Sequence, residues 1–198
     1  MADLSYENEL RNQGFALVAG VDEAGRGPLA GDVYAAAVIL PDGCAIAGLR
    51  DSKKLTEKRR ETLFGIVRET AAAYCVASAT VEEIETLGIL GATHLAMNRA
   101  VAGLSAPPDV AIVDGNQGAG LDFAHRLLVG GDDLSLSVAA ASVLAKVSRD
   151  RYMLKLAERY PGYGFGRHKG YGTAAHYAAI RSLGATPEHR TLFLRKMH

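Results

Sequence analysis

Apolar residues recur along the chain in short, nearly continuous runs, and each run ends at residues that favour turns. Five of these runs have the length and the apolar content expected of buried strands. The first run stops at Asp22, and the second is followed by the turn sequence "PDG". The predicted strands cover residues 15–21, 32–40, 73–80, 110–114 and 124–133.

Between these runs, apolar positions recur at helical spacing. Thr56 is the expected N-cap of a helix over 57–71. Thr80 and Glu83 form a capping-box pattern at the start of another helical segment. Further helices are predicted over 89–104, over 137–160 and from the N-cap Thr173 to Gly184, with a Gly-rich loop at 161–172.

The order of these elements predicts an α/β protein. The first three strands lie close together in the sequence, which favours an antiparallel meander, whereas helices separate the later strands, which favours parallel pairing. We therefore expect a mixed central sheet, antiparallel in its first three strands and then parallel, flanked by helices and followed by a helical C-terminal region. Residues 1–14 are interpreted as an N-terminal extension and residues 15–198 as one domain.

Three of the predicted strands end in acidic residues: Asp22 and Glu23, then Asp114, then Asp132 and Asp133. In open α/β sheets, functional groups gather at the carboxyl ends of strands. If these strands are neighbours, the carboxylates need cations close by to stay ionised together. Oxygen ligands favour Mg²⁺ or Mn²⁺, and a pair of such ions commonly cuts phosphodiesters. The alternative is a set of aspartates that simply favour turns.

The stretch around the first acids raises two further points. Asp22 and Glu23 are adjacent, so on a regular strand their side chains point to opposite faces. A break in the strand, or the longer reach of Glu23, would be needed to bring both to one site. Residues 25–30, "GRGPLA", also fit the GxGxxA pattern of dinucleotide sites. That motif needs a helix directly afterwards, whereas a strand is predicted here, so we set it aside.

Composition narrows the class of protein. The chain has 198 residues, 48% of them apolar, which is enough for a sizeable core. The polar start has no signal-peptide pattern, and no apolar run is long enough for a membrane span. Cys44 and Cys75 lie far apart and are expected to be reduced thiols in the cytoplasm. Nothing in the pattern predicts an oligomer, and we expect a monomer.

Charge is unevenly distributed although the formal net charge is zero. Residues 141–198 contain 11 lysines and arginines but only 3 acidic residues, and residues 1–140 contain 11 against 19. An acidic body with a basic C-terminal third suits a protein that binds metal ions in one place and a polyanion in another. Ordinary solvated helix faces would explain the same distribution.

Several motifs together resemble bacterial ribonuclease HII. They are "GVDEAGRGPLAG", "DSKKLT", "VDGN", "GDD" followed by "AAASVLAKVSRDRYM", and "YGFGRHKGYGT", in the family's order from about residue 16 to 190. The resemblance implies a ribonuclease H-like fold and four acids that hold two Mg²⁺ or Mn²⁺ ions. These acids map to Asp22, Glu23, Asp114 and Asp132, with Asp133 a minor alternative to Asp132.

The resemblance also implies the reaction. The family cleaves RNA within RNA/DNA hybrids and incises DNA duplexes on the 5′ side of an embedded ribonucleotide, leaving 3′-hydroxyl and 5′-phosphate ends. Its members therefore serve ribonucleotide removal and RNA primer clearance. The peptide groups of Gly25, Arg26 and Gly27 are expected to hydrogen-bond the 2′-hydroxyl, with Arg26 holding phosphate. Tyr171 of "HKGY" is expected to pack on the sugar beside the cut.

The remaining substrate contacts are expected from basic and polar residues in the same motifs. Contacts to backbone phosphates position a duplex on the protein but are independent of its base sequence, and Lys and Arg usually make these contacts. His168 is expected to face the substrate, and Ser52 and Asn116 are weaker candidates. The basic candidates are Lys53, Lys54, Lys146, Arg149 and Lys169. The other histidines (His94, His125, His176, His189 and His198) are interpreted as structural or surface residues.

The chain departs from the family pattern at a few positions. Asp32 and Gly172 stand where the family usually has proline, and Gly172 is expected to loosen the chain after Tyr171. The C-terminal "TLFLRKMH" contains no clear sliding-clamp motif, since the expected glutamine is missing.

Two alternatives remain open. Ribonuclease HIII shares the acids but lacks single-ribonucleotide activity, and it normally has an additional N-terminal domain. Only about 20 residues precede Asp22, which argues against it. A nucleic-acid binding module without catalysis would need the basic C-terminal third but not the acids.

Overall fold

The fold is built around a five-stranded mixed sheet in the order β3-β2-β1-β4-β5, here described from a computed structural model covering residues 2–195. Strand β1 pairs antiparallel with β2, and β2 with β3, whereas β1–β4 and β4–β5 are parallel pairs. The predicted mixed sheet is therefore confirmed. The strands are β1 (Val18–Ala24), β2 (Val33–Ile39), β3 (Ala73–Ala79), β4 (Val110–Asp114) and β5 (His125–Leu128).

Helices cover both faces of the sheet. No helix within residues 2–195 is both long enough and apolar enough to cross a membrane. A 3₁₀ turn spans Ser52–Lys54. The helices are α1 (Ser5–Asn12), α2 (Glu57–Thr70), α3 (Val81–Ala102), α4 (Gly131–Leu134), α5 (Leu136–Arg159), α6 (Phe165–His168), α7 (Ala174–Leu183) and α8 (Thr191–Leu194).

The predicted helix starts are confirmed by their caps. The Thr56 hydroxyl accepts a hydrogen bond from the Arg59 N–H, 3.3 Å away. Thr80 and Glu83 bond each other's backbone N–H groups in a complete capping box. Thr173 caps α7 through the His176 N–H at 3.2 Å. Each cap satisfies donors that the first turn of a helix leaves without a partner.

Four elements differ from the prediction. Strand β1 does not stop at Asp22; it continues through Glu23 to Ala24 because both acids pair in register with β2. Strand β5 ends at Leu128, so Asp132 lies in the short helix α4 and not at a strand end. Helix α3 begins at Val81 and bends at Gly88, and α6 interrupts the Gly-rich loop.

Helix α5 packs directly on the centre of the sheet. Its run of small residues, Ala139 to Ala141, is fully buried. Gly20 on β1 permits this close approach, because a Cβ there would lie 2.1 Å from the Ser137 carbonyl carbon. The opposite face of the sheet packs against α3 through a second apolar cluster that contains Ile84, Ala96 and Met97. The sheet is thus fixed between two helical layers.

The N-terminal segment is attached to the start of α5 by one buried acid. A Glu7 carboxylate oxygen accepts hydrogen bonds from the Ser135 hydroxyl at 2.6 Å and from the Ser137 N–H at 2.9 Å. The Ser137 hydroxyl donates to the same oxygen. A carboxylate at a helix N-terminus also interacts favourably with the helix dipole. Helix α1, within the predicted extension 1–14, therefore packs against the main body.

Candidate active site

Three aspartates converge at one edge of the sheet. Asp22 on β1, Asp114 at the end of β4 and Asp132 in α4 each place a carboxylate oxygen within 4.8 Å of the other two. Asp22 and Asp114 meet because β1 and β4 are parallel neighbours with Val21 opposite Val113. Asp132 lies close to Asp114 because the N–H of the preceding residue, Gly131, donates a hydrogen bond of 2.8 Å to the Asp114 carboxylate. The convergence expected from the sequence is therefore present, although the third acid comes from a helix.

The electrostatics of this group fit a cation. Asp22 is only 2% exposed, and burial together with the nearby Glu23 and Asp114 charges raises its pKa well above the ordinary value. Burial, followed by the charges of Asp51 and Asp114, raises the pKa of Asp132 to about 6. Buried carboxylates that repel one another are stabilised in their charged form by a hard cation. A set made only of carboxylate oxygens favours Mg²⁺ or Mn²⁺ over zinc.

Glu23 lies beside this group and not within it. As the next residue on an unbroken strand, it turns away from Asp22. Its carboxylate is 3.5 Å from the Arg26 guanidinium. Burial raises the pKa of Glu23, and the Arg26 charge opposes that shift, while the Asp114 charge adds to it. Glu23 is thus close enough to interact with Asp114 but also faces the neighbouring cleft.

A cleft of about 270 Å³ opens next to the aspartates. Gly27 and Tyr171 face each other across it, since a Cβ on Gly27 would lie 3.6 Å from Tyr171 Cε1. Tyr171 is 46% exposed, whereas Gly170 directly before it is buried. The lining also includes Glu23, Gly25, Arg26, Ser52, Lys53 and Lys146. Most of the predicted substrate residues therefore share one cavity.

The loop from Gly25 to Gly31 forms one wall of the cleft, and its backbone is fixed. Gly25 has φ +103°, and a Cβ there would lie 2.0 Å from the Arg149 Nε atom. Only glycine fits this combination of dihedral angle and close contact. Among the described residues, none accepts a hydrogen bond from the N–H groups of Arg26 or Gly27. These two donors are therefore available to a ligand in the cleft.

The lysines predicted to contact phosphate occupy different environments. Lys53 has a side chain that is 73% exposed, with its ammonium 3.6 Å from Asp132. Lys54 forms an ion pair with Asp133. Lys146 donates to Asp150 at 2.7 Å, and burial lowers its pKa. Lys169 donates to the Gly166 carbonyl at 2.6 Å. Lys53 is thus the most accessible of the four to a phosphate near the acids.

Arg149 and His168 both make hydrogen bonds within the protein. Arg149 is 1% exposed and donates to the carbonyl oxygens of Asp32, Lys169 and Ala30 at 3.0–3.2 Å. The His168 ring bonds the Tyr163 carbonyl at 2.8 Å and accepts from the Gly170 N–H at 3.2 Å. Both side chains bond loop carbonyls, and Arg149 also lines the cleft, so their expected phosphate and substrate contacts stay predictions.

The remaining candidates, Ser52, Asn116 and Asp133, also differ in their surroundings. Ser52 is buried and its hydroxyl is 2.9 Å from the Ser142 hydroxyl, although it also lines the cleft. Asn116 is exposed, two residues after Asp114. Asp133 is paired with Lys54 outside the three-aspartate group, whereas Asp132 is inside it.

Sequence reasoning missed two residues. Arg190 is fully buried and donates to the carbonyl oxygens of the glycine loop, whose partners are Gly25, Arg26, Pro28 and Gly31 at 2.6–3.0 Å. No local pattern marks an arginine that acts so far along the chain. Asp51 is buried, caps the 3₁₀ turn through the Lys53 N–H at 2.8 Å and raises the pKa of Asp132. Its place at the head of "DSKKLT" was the available signal.

Both departures from the family pattern have local structural partners. At Gly172, the Tyr177 hydroxyl occupies the space that a side chain would need. A Cβ at this position would lie 2.7 Å from that hydroxyl. The Asp32 carboxylate accepts a hydrogen bond from the Val81 N–H at the start of α3. Burial raises the pKa of Asp32 to about 6. The C-terminal stretch that lacks a clamp motif, and His198 with it, lies partly outside the described residues, which end at 195.

A mixed five-stranded sheet with aspartates converging from β1, β4 and α4 defines a hydrolase of the ribonuclease H class. The sequence model of the family described as Ribonuclease HII matches residues 19–198. The chain therefore belongs to the ribonuclease HII family. Enzymes of this family are endonucleases that depend on divalent metal ions and act on RNA/DNA hybrids.

Relatives in other bacteria are similar over most of their length. Ribonuclease HII of Laribacter hongkongensis is 59% identical over 178 residues, which are 89% of this chain and 90% of that protein. Ribonuclease HII 1 of Methylibium petroleiphilum is 58% identical over 177 residues, 89% of each chain. Ribonuclease HII of Endomicrobium trichonymphae is 53% identical, covering 96% of this chain and 90% of its own.

Solved structures share the fold. The crystal structure of ribonuclease H2 from Pyrococcus horikoshii OT3 superposes with a TM-score of 0.73 at 26% identity, covering 91% of this chain and 96% of the other. A Bst-RNase HIII structure in complex with Mn²⁺ gives 0.69 at 21% identity, covering 85% of this chain and 63% of that one. The predicted ribonuclease H-like fold is confirmed.

Proposed function

We propose that this protein hydrolyses the RNA strand of RNA/DNA hybrids and incises DNA duplexes on the 5′ side of embedded ribonucleotides, leaving 3′-hydroxyl and 5′-phosphate ends. Its role would be ribonucleotide removal and RNA primer clearance. One observation supports this most directly: Glu23 and Lys53, which lie beside the three aspartates, line the same cleft as the glycine loop and Tyr171. Groups that can bind metal and groups that can contact a ribose are thus within one nucleotide's reach.

The acids are proposed to hold two Mg²⁺ or Mn²⁺ ions. Asp22, Asp114 and Asp132 supply oxygen ligands from three elements, and Glu23 supplies a fourth from the side of the cleft. When bound, a pair of divalent ions activates the attacking water and stabilises the leaving oxygen. The Lys53 ammonium lies close to Asp132 and partly offsets the charge of the acids. An exposed lysine in this place suits a phosphate next to the one that is cut.

Ribose recognition is assigned to the walls of the cleft. The N–H groups of Arg26 and Gly27 have no acceptor among the described residues and suit the oxygen of a 2′-hydroxyl. The Arg26 guanidinium is exposed enough to hold phosphate. The exposed ring of Tyr171, opposite Gly27, offers an apolar face on which the next sugar can pack.

The test is cleavage of an end-labelled duplex that contains one ribonucleotide. Asp22→Asn removes one carboxylate charge at little change in size, and we expect the rate with Mg²⁺ or Mn²⁺ to fall at least about 100-fold. Asp42→Asn is the matched control, since its side chain is 85% exposed. EDTA should abolish cleavage by the wild-type protein. Cleavage by Asp22→Asn at the wild-type rate would remove Asp22 from the site.

The same assay separates the alternatives. Efficient cutting of long hybrids without cutting at a single ribonucleotide would favour a ribonuclease HIII-like activity. Binding that survives EDTA, without any metal-stimulated cleavage, would favour a binding module. We further propose that residues 15–198 act as one domain, in a monomer located in the cytoplasm.

A further inference from the structure

The two walls of the cleft are both attached to one short segment, Glu188 to Arg190. Arg190 fixes the first wall by bonding four carbonyl oxygens of the glycine loop, Gly25 and Arg26 among them. The backbone adds two hydrogen bonds of 2.8 Å, from the Gly31 N–H to the Glu188 carbonyl and from the Arg190 N–H to the Leu29 carbonyl. Several side-chain and backbone hydrogen bonds therefore fix the position of this segment relative to the glycine loop.

The second wall is reached from the neighbouring residue through two histidines. The His189 Nε2 atom is 3.1 Å from the His176 Nε2 atom, and the His176 Nδ1 atom is 2.9 Å from the Tyr171 carbonyl oxygen. Both imidazoles are buried, with Phe165 packed against them. A continuous line of hydrogen bonds thus runs from residue 189 to Tyr171.

The chemistry of the end groups fixes where each proton lies along this line. The Thr186 N–H, 2.9 Å from His189 Nδ1, can only donate, so that nitrogen accepts. Nε2 of His189 then bears the proton and donates to His176. A carbonyl oxygen can only accept, so His176 Nδ1 bears the other proton and donates to Tyr171. One neutral tautomer of each ring satisfies every partner, and both rings are held in orientation.

We propose that His189, acting through His176, is a positioning residue that sets Tyr171 against the glycine loop and thereby tunes recognition of the ribose. Arg190 is bonded to the glycine loop. His189, the residue before it, is connected to Tyr171 through His176, so the position of Tyr171 depends on the position of the loop. The proposal rests on the proposed role of Tyr171 at the sugar. Tyr171 is exposed on its cleft side. Its carbonyl accepts from His176 Nδ1 and from the Thr173 N–H, both at 2.9 Å, and its N–H donates to the His168 carbonyl at 2.9 Å, so the His176 bond limits its movement together with two backbone bonds.

Two substitutions of His189 separate this role from simple packing. His189→Asn places its amide near the former Nδ1 atom, so it keeps an acceptor for Thr186 but cannot reach His176. His189→Gln places its amide near the former Nε2 atom, so it keeps a donor for His176 but loses the Thr186 contact. His189→Asn loses the bond to His176, and His189→Gln loses the contacts with the Thr186 N–H and hydroxyl. Thermal unfolding of both variants separates a loss of stability from the positioning effect.

The expected results are different for the two variants. On a duplex with one ribonucleotide, His189→Asn should lower kcat/KM about 3- to 10-fold, as expected for one lost hydrogen bond. Most of the change should appear as a higher KM, because the acids are untouched. His189→Gln should stay within about twofold of the wild type. Equal losses in both variants, or no loss in His189→Asn, would overturn the proposal.

A double-mutant cycle with Tyr171→Ala tests the route of the effect. Tyr171→Ala alone should lower kcat/KM about 5- to 100-fold, the range for loss of an aromatic packing surface. Adding His189→Asn to Tyr171→Ala should then cause no further loss, because the ring to be positioned is absent. A further loss of the same size would overturn the relay. If Tyr171→Ala has no effect by itself, the proposed role of Tyr171 fails instead, and the two failures are distinguishable.

Discussion

Gly25 and Gly27 belong to one motif, yet the structure gives them separate tasks. Gly25 has a positive φ and lies against the Arg149 guanidinium, so its lack of a side chain is needed for the loop to form. At Gly27, an added Cβ would lie at ordinary contact distance from the Tyr171 ring and would collide with nothing. Its lack of a side chain leaves room in the cleft. We therefore infer that Gly25 is required for folding, and we propose that Gly27 is required for binding of the ligand.

Alanine at each position should reveal this division. Gly25→Ala introduces backbone strain and a collision, so we expect the free energy of unfolding to fall by about 2–4 kcal/mol. Gly27→Ala should change stability by less than about 0.5 kcal/mol. Its methyl group occupies the space facing Tyr171, so kcat/KM on a duplex with one ribonucleotide should fall about tenfold or more. Urea unfolding and the cleavage assay measure the two effects, and a stable, fully active Gly27→Ala would contradict the assignment.

At the scale of elements, one buried acid connects α1 to the start of α5. Glu7 accepts hydrogen bonds from both Ser135 and Ser137, at the point where Gly20 brings β1 against α5. This end of α5 follows directly on α4, which holds Asp132. Helix α1 thus contributes to the stability of the layer that supports the aspartates, although it contributes no residue to the cleft.

Removing that acid should destabilise the protein. Glu7→Ala leaves two serine hydroxyls and one N–H group without their charged acceptor, and we expect the free energy of unfolding to fall by about 2–4 kcal/mol. Glu9→Ala, on the exposed face of the same helix, is the control and should stay within about 0.5 kcal/mol of the wild type. Denaturant unfolding followed by circular dichroism gives both values. Similar losses in the two variants would mean that the buried contacts contribute little.

Local signals in the sequence predicted most elements and two of the three converging aspartates in their correct places. Caps such as Thr56 and Thr80 act within one turn, so short sequence windows contain them. Asp132 was placed on a strand because the four-residue helix α4 is too short to show periodicity. Arg190 was missed because its partners lie about 160 residues earlier in the chain. Contacts of that range depend on the folded topology, which no short window contains.

For the whole molecule, many of the basic residues that the structure describes in the C-terminal third are buried or paired with acids. Arg149 and Arg190 are buried and bond backbone carbonyls. Other cations of this region are paired with acids: Lys146 with Asp150, Arg151 with Glu61 and Arg159 with Glu188. The sequence counts charges but does not show which ones fold inward. Much of this positive charge organises the protein itself.

Buried histidines should make the stability of the whole protein depend on pH. Burial, and then the neighbouring His176, lowers the pKa of His189 from 6.5 to about 4. Between these values the unfolded chain binds a proton that the folded chain does not, so stability is complete above about pH 6.5 and declines towards pH 4. One such group contributes at most about 1.4 kcal/mol per pH unit.

His189→Gln removes this group and should flatten the profile. Urea midpoints measured from pH 4 to pH 8 should fall less steeply on the acid side than those of the wild type. Other titrating groups, such as Asp32, remain in both proteins, so the difference between the two curves isolates the histidine. Parallel curves would show that His189 is protonated equally in the folded and unfolded chains.

The attachment of the glycine loop to Arg190 also has a consequence for the order in which the enzyme is made. A ribosome adds residues from the N-terminus, so the loop is synthesised 164 residues before the guanidinium that bonds the Arg26 carbonyl. All five strands and the converging aspartates also precede Arg190 in the chain. A nascent chain that has not reached residue 190 therefore contains the three aspartates without the Arg190 hydrogen bonds to the loop. We therefore expect the glycine loop to reach its fixed conformation only after this segment has been translated.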